Sequence, residues 1–139
     1  MQILMFGAGS TGRGHLSALL YENGFRDIVY VDRDKDLVRK LGDARAYQVH
    51  LFGKQERTLD IRGFRILDRA DHDRLVEAFC SADIVYTAVI AENLDDVSVA
   101  LAAAIPERKR MGKKAPLNVI ACENLDHASS YLKTCTYEK

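Results

Sequence analysis

The chain has no tryptophan, only two prolines and only three cysteines in 139 residues. Cys80, Cys122 and Cys135 are an odd number, widely spaced and without a C-x-x-C pair. With no clustered histidines beside them, neither a disulfide framework nor a zinc site is indicated, and the thiols read as buried or inert. Charge of one sign is also lacking. Twenty basic and twenty acidic residues cancel formally, leaving no global field to recruit nucleic acid or an anionic membrane. No apolar run approaches a membrane span, and the chain enters an apolar strand at Gln2 without a signal-peptide pattern, so a cytoplasmic location is expected. What remains, at 47% hydrophobic content and with few prolines, is an ordinary single globular domain able to bury a core.

One stretch organises the rest. Gly7-Ala8-Gly9-Ser10-Thr11-Gly12 follows the apolar run Ile3-Leu4-Met5-Phe6 and opens an amphipathic segment reaching Asn23. This is G-x-G-x-x-G between a strand and a helix, the context in which the pattern points to a dinucleotide. The first glycine permits a tight turn, the second lets backbone N–H groups approach a pyrophosphate, and the third lets helix and strand pack closely. The unpaired N–H groups of a helix start complete an anion site. Leu16, Leu19 and Leu20 recur at helical spacing, Gly24 sits where a left-handed C-terminal residue is expected, and Ile28-Val29-Tyr30-Val31 reads as a second buried strand. It ends in Asp32, about 20 residues beyond the fingerprint and placed to accept hydrogen bonds from a ribose diol. Arg33 points the other way, toward the 2′-phosphate of NADP. Asp32 repels that phosphate and Asp34 is at hand to neutralise the arginine, so NAD is the expected cofactor.

Further along, Leu37, Val38 and Leu41 share one face of a short helix ending near Gly42. From Ala46 to Leu67 alternation and glycines predict hairpins, with a turn at Gly53-Lys54 and His50 in a structural or exposed position; an antiparallel insertion near the third strand is therefore expected. Asp71 to Phe79 reads as a helix with His72 facing solvent, and Ala82 to Val89 as a parallel strand buried on both faces. The carboxyl end of that strand, at Thr87, Ala88 and Val89, borders the crevice where open α/β sheets bind ligands. A helix from Asp95 to Ile105 is expected to stop at Pro106. The basic cluster Arg108 to Lys114 lacks the interleaved aromatics of a nucleic-acid platform and reads as a solvated loop or helix-end charge. A last strand, Leu117 to Cys122, delivers Glu123 and Asn124 to the same edge. There the Asn124 carboxamide either polarises a substrate carbonyl oxygen or caps the following helix. The fold class is thus α/β, a Rossmann-type doubly wound, mainly parallel sheet with an antiparallel hairpin insertion.

Three separated segments, Phe6 to Gly14, Tyr47 to His50 and Pro116 to Asn124, together resemble the nucleotide-binding domain of the polyol-specific long-chain (mannitol) dehydrogenase family. The resemblance spans essentially the whole chain. It implies oxidation of mannitol 1-phosphate to fructose 6-phosphate with NAD and no metal, with Gly7 to Gly12 and Asp32 holding the cofactor. It also implies that Asn124 matches the family's oxyanion-stabilising asparagine. The family's catalytic lysine belongs to a helical C-terminal domain that is absent here, and Lys133 lies too soon after Asn124 to replace it. Residues 1–139 therefore read as a truncated domain that binds cofactor without turnover. A sugar-phosphate or polyol is the expected partner of the longer protein, and neither nucleic acid nor membrane is. Alternatives are a mannitol 2-dehydrogenase or hexuronate reductase, a stand-alone NAD(H)-binding module, and a methyltransferase using the same glycine turn.

Overall fold

The computed structural model describes residues 1–53 and 55–139. Lys54, in the turn expected at Gly53-Lys54, lies outside the described residues. Five strands form one wholly parallel sheet: β1 (Gln2–Phe6), β2 (Asp27–Asp32), β5 (Arg65–Asp68), β6 (Ile84–Thr87) and β7 (Asn118–Ala121). Their order across the sheet is β5-β2-β1-β6-β7. The chain winds outward from β1 through β2 to β5, then returns to the other side of β1 for β6 and β7. That reversal opens a crevice beyond the carboxyl ends of β1 and its neighbours.

Alternate residues of the central strands feed two cores, as strand periodicity requires. Leu4, Phe6, Val29, Val31 and Val85 pack with the helices α3 (His72–Ser81), α4 (Leu94–Arg110) and α5 (Ala128–Tyr137). Ile3, Met5, Ile28 and Tyr30 face the other way, onto α1 (Ser17–Glu22), α2 (Lys35–Ala44) and a two-stranded antiparallel hairpin of β3 (Ala46–Leu51) and β4 (Arg57–Arg62). Tyr47 opposite Ile61 and Val49 opposite Leu59 form the hairpin's apolar face, while His50 is exposed and contacts Thr58. The expected antiparallel insertion is present. The stretch after it departs from expectation, because Phe64 to Leu67 does not continue the hairpins but supplies β5, the third strand of the parallel sheet.

Several boundaries also differ. The second helix runs past Gly42 to Ala44 and closes on Arg45 in a left-handed conformation, φ 53°, with its N–H on the Leu41 carbonyl at 2.9 Å. β6 is shorter than the apolar run Ala82 to Val89, because Ala82 ends α3 and Ala88 bends over the glycine turn. The fourth helix does not stop at Pro106 but continues to Arg110. Proline forfeits one N–H bond there, and the turn beyond it is held by Arg108, whose Nη1 donates to the carbonyls of Phe79, Cys80 and Ala82 at 2.8–3.2 Å. Gly112, at φ 73°, then closes the helix with its N–H on Lys109. The basic cluster thus contains a structural arginine that ties α4 to the end of α3, and Arg110 is paired with Glu107.

Candidate functional site

The three glycines of the first turn sit in three different surroundings. Gly7 adopts φ +95° and donates its N–H to Val31 at 2.8 Å; a Cβ there would lie 2.4 Å from the Ala88 carbonyl oxygen. A Cβ on Gly12 would lie 2.2 Å from the Gly7 carbonyl oxygen, so only glycine lets the helix seat against the strand end. A Cβ on Gly9 would meet nothing within 4 Å. The chain then enters wide π-type turns over Ser10–Leu16 that run on into α1. Among the described residues, the N–H groups of Ser10, Thr11 and Gly12 have no protein acceptor, as the first turn of a helix dictates. Ser10 and Thr11 are exposed and Ala8 is fully buried.

A buried chain of hydroxyls braces this turn from below. Ser17 Oγ donates to the Gly12 carbonyl at 2.7 Å and contacts the Tyr30 hydroxyl, which lies 2.8 Å from that of Tyr47. Tyr47 in turn donates to the Arg13 carbonyl at 2.9 Å, so the hairpin is tied to the turn. Burial, above all, holds the Tyr30 and Tyr47 phenols above the ordinary tyrosine range.

Asp32, half-buried at the end of β2, accepts the Ala8 N–H on Oδ2 at 2.7 Å and the Asp34 N–H on Oδ1 at 3.0 Å. Each carboxylate oxygen retains a second lone-pair direction for a hydroxyl donor. Beside it lies a cleft of about 200 Å³ whose wall includes Gly7, Gly9, Asp32, Arg33, Ala88 and Val89. Arg69, Ile90 and Asn93 line it too and were not foreseen, since Arg69 enters only because β5 docks beside β2, a topological fact that no local pattern carries. Arg33 is not neutralised by Asp34, as its proximity in sequence suggested. The Asp34 carboxylate caps α2 through the N–H groups of Asp36 and Leu37, and Arg33 reaches Asp96 of α4 instead.

At the neighbouring strand ends, Thr87 is fully buried beneath the cleft wall and Glu123 bridges two elements. Its carboxylate accepts the Thr87 hydroxyl at 2.8 Å and the Val89 N–H at 3.0 Å, locking the β6 exit to the β7 exit. The sequence placed Glu123 at this edge without a role; its position directly before Asn124 was the available signal. Asn124 is exposed just after β7 and does not cap α5, whose first cap position is His127. The residues present fit a dinucleotide: free N–H groups follow an open Gly9, and an acid with spare acceptor capacity stands at the β2 end of the same cleft. Among the described residues no cluster of metal-ligating side chains occurs, and no helix is long and apolar enough to cross a membrane.

A parallel sheet in this order, with a glycine turn and an acid-ended second strand at its switch point, defines a nucleotide-binding Rossmann domain. The chain belongs to the mannitol dehydrogenase Rossmann domain family, whose family model matches residues 1–139. It is 34% identical over 134 residues to the mannitol-1-phosphate 5-dehydrogenase of Oceanobacillus iheyensis. It is 37% identical over 134 residues to the enzyme of the same name from Geobacillus thermodenitrificans. Each alignment covers 96% of this chain and 34% of the relative, so the chain spans about a third of the length of the curated relatives it matches.

Proposed function

We propose that this chain binds NAD(H) as the nucleotide half of a dehydrogenase that interconverts mannitol 1-phosphate and fructose 6-phosphate. The observation that carries the reading is the pairing of the open Gly9 with Asp32 across one cleft, in a chain whose relatives bear that enzyme's name. In this reading the backbone from Gly7 through Ala8, Gly9, Ser10 and Thr11 to Gly12 holds the diphosphate, and Asp32 accepts the ribose hydroxyls. Ala88 and Val89 wall the nicotinamide side, and Thr87 supports them through Glu123. Bound NAD supplies the ring carbon that takes or gives the hydride. The Asn124 carboxamide donates to the carbonyl oxygen that carries alkoxide charge during transfer.

No lysine of this chain is assigned as the general base, which the reading places in a further domain of the longer protein. Holding cofactor, polyol and base together contributes about 7–11 kcal/mol of barrier lowering, so the isolated chain should bind NADH without turnover. Assay of the whole protein that carries this chain, with NAD and either mannitol 1-phosphate, mannitol or hexuronates, tests the reading. Turnover confined to the phosphate supports it, and activity on the unphosphorylated substrates alone overturns it.

A further inference from the structure

We infer that Asp96, on the first turn of α4, sets the cofactor preference of this domain by engaging two arginines that would otherwise clamp a phosphate. The inference rests on the NAD reading above. Arg33 follows β2 and Arg69 follows β5, and both line the cleft that holds Asp32. The Arg69 N–H donates to the Asp32 carbonyl at 2.9 Å, which fixes Arg69 beside the ribose-binding acid. Both guanidinium groups turn to one atom: Arg69 Nη1 lies 2.8 Å and Arg33 Nη1 3.8 Å from Asp96 Oδ2.

Two arginines converging on one oxygen is the arrangement by which proteins hold phosphate, through charge-assisted, fork-shaped donation. Here an internal carboxylate fills that role. Asp32 and the two arginines of the cleft, together with the adjoining Asp96, sum to zero charge, and a 2′-phosphate arriving there meets the Asp32 carboxylate and two arginines already paired with Asp96. Asp95 offers no substitute, because its carboxylate accepts the Tyr131 hydroxyl at 2.8 Å on the far side of the helix start. Asp96 and Arg33 are about half exposed and Arg69 about a third, so these partly solvated ion pairs contribute little to folding and their removal should leave the domain intact.

The test is titration of the chain with NADH and NADPH, read by nucleotide fluorescence, alongside a thermal melt. The unmodified domain prefers NADH. Asp96→Asn keeps the melting temperature and NADH affinity, and tightens NADPH about tenfold or more as charged hydrogen bonds to the phosphate form. Asp96→Glu retains the NADH preference, and Asp96→Asn combined with Arg69→Gln loses the NADPH gain. An Asp96→Asn domain that binds NADH with an unchanged NADH-to-NADPH ratio overturns the inference, as does equal weakening of both nucleotides, which marks a structural role. An unmodified domain that binds neither nucleotide brings down the NAD reading itself, and the inference with it.

Discussion

Replacing Gly9 with alanine should separate folding from binding. Gly9 sits at φ −74° and ψ −166°, extended backbone that alanine adopts without strain, and its added Cβ meets nothing within 4 Å. The unfolded chain loses freedom on such a substitution, so stability should hold or rise by about 0.4–1 kcal/mol, at most a few degrees in melting temperature. Binding should fall for the same geometric reason. The methyl group projects into the space from which a diphosphate reaches the N–H groups of Ser10, Thr11 and Gly12. Losing two charge-assisted bonds there costs about 3 kcal/mol or more, which is at least about a hundredfold in NADH affinity. Gly7→Ala provides the contrast: its Cβ collides with the Ala88 backbone at 2.4 and 2.8 Å from a positive φ, so the fold itself should suffer. Urea titrations give the stabilities and NADH fluorescence the affinities. A Gly9→Ala domain that binds NADH as tightly as the unmodified one refutes the assignment of the turn, and one destabilised by more than about 1 kcal/mol refutes the open space around it.

Glu123→Ala leaves the fully buried Thr87 hydroxyl and the Val89 N–H without their acceptor and should cost about 2–3 kcal/mol in denaturant titration, whereas Glu123→Gln, still able to bond both, should cost less. A Glu123→Ala loss below about 0.5 kcal/mol would show that the bridge does not matter. Arg108→Ala removes the donor to three carbonyls at the α3 end and should cost about 1.5–3 kcal/mol, while Lys114→Ala in the same basic run should stay within about 0.5 kcal/mol. The Tyr30 and Tyr47 phenols are held above their ordinary range mainly by burial, so the unfolded chain ionises first. Their contribution to stability is complete at neutral pH and falls as pH climbs through about 10 and beyond. Tyr30→Phe should flatten that alkaline fall in stability-versus-pH curves; an unchanged slope would contradict the buried hydroxyl chain.

Features set by local chemistry could be read without the structure. The glycine turn and the left-handed Gly24 each depend on neighbours a few residues away, and each lies where the residue types require. Pattern length failed where tertiary contacts override propensity. Pro106 signals a stop, but Arg108 anchors the turn beyond it against α3, a contact that no local spacing encodes. The role of Phe64 to Leu67 was obscured for a related reason: alternation reveals a strand but not its partner, and β5 joins β2 rather than β4. At the site, the place of Asp32 at the end of β2 was legible because it follows the turn at a set interval. The pairing of Arg33 with Asp96, rather than with the adjacent Asp34, was not, because Asp34 is committed to capping α2.

Binding of a dinucleotide across the carboxyl ends of β1, β2 and β6 is tested by titrating the isotope-labelled chain with NADH and following its amide NMR spectrum. The account predicts saturable shifts concentrated at Gly9, Ser10, Thr11 and Gly12, at Asp32, and at Val89, with the hairpin strands β3 and β4 little affected. Saturable shifts located elsewhere, or no binding by a folded chain, would contradict it.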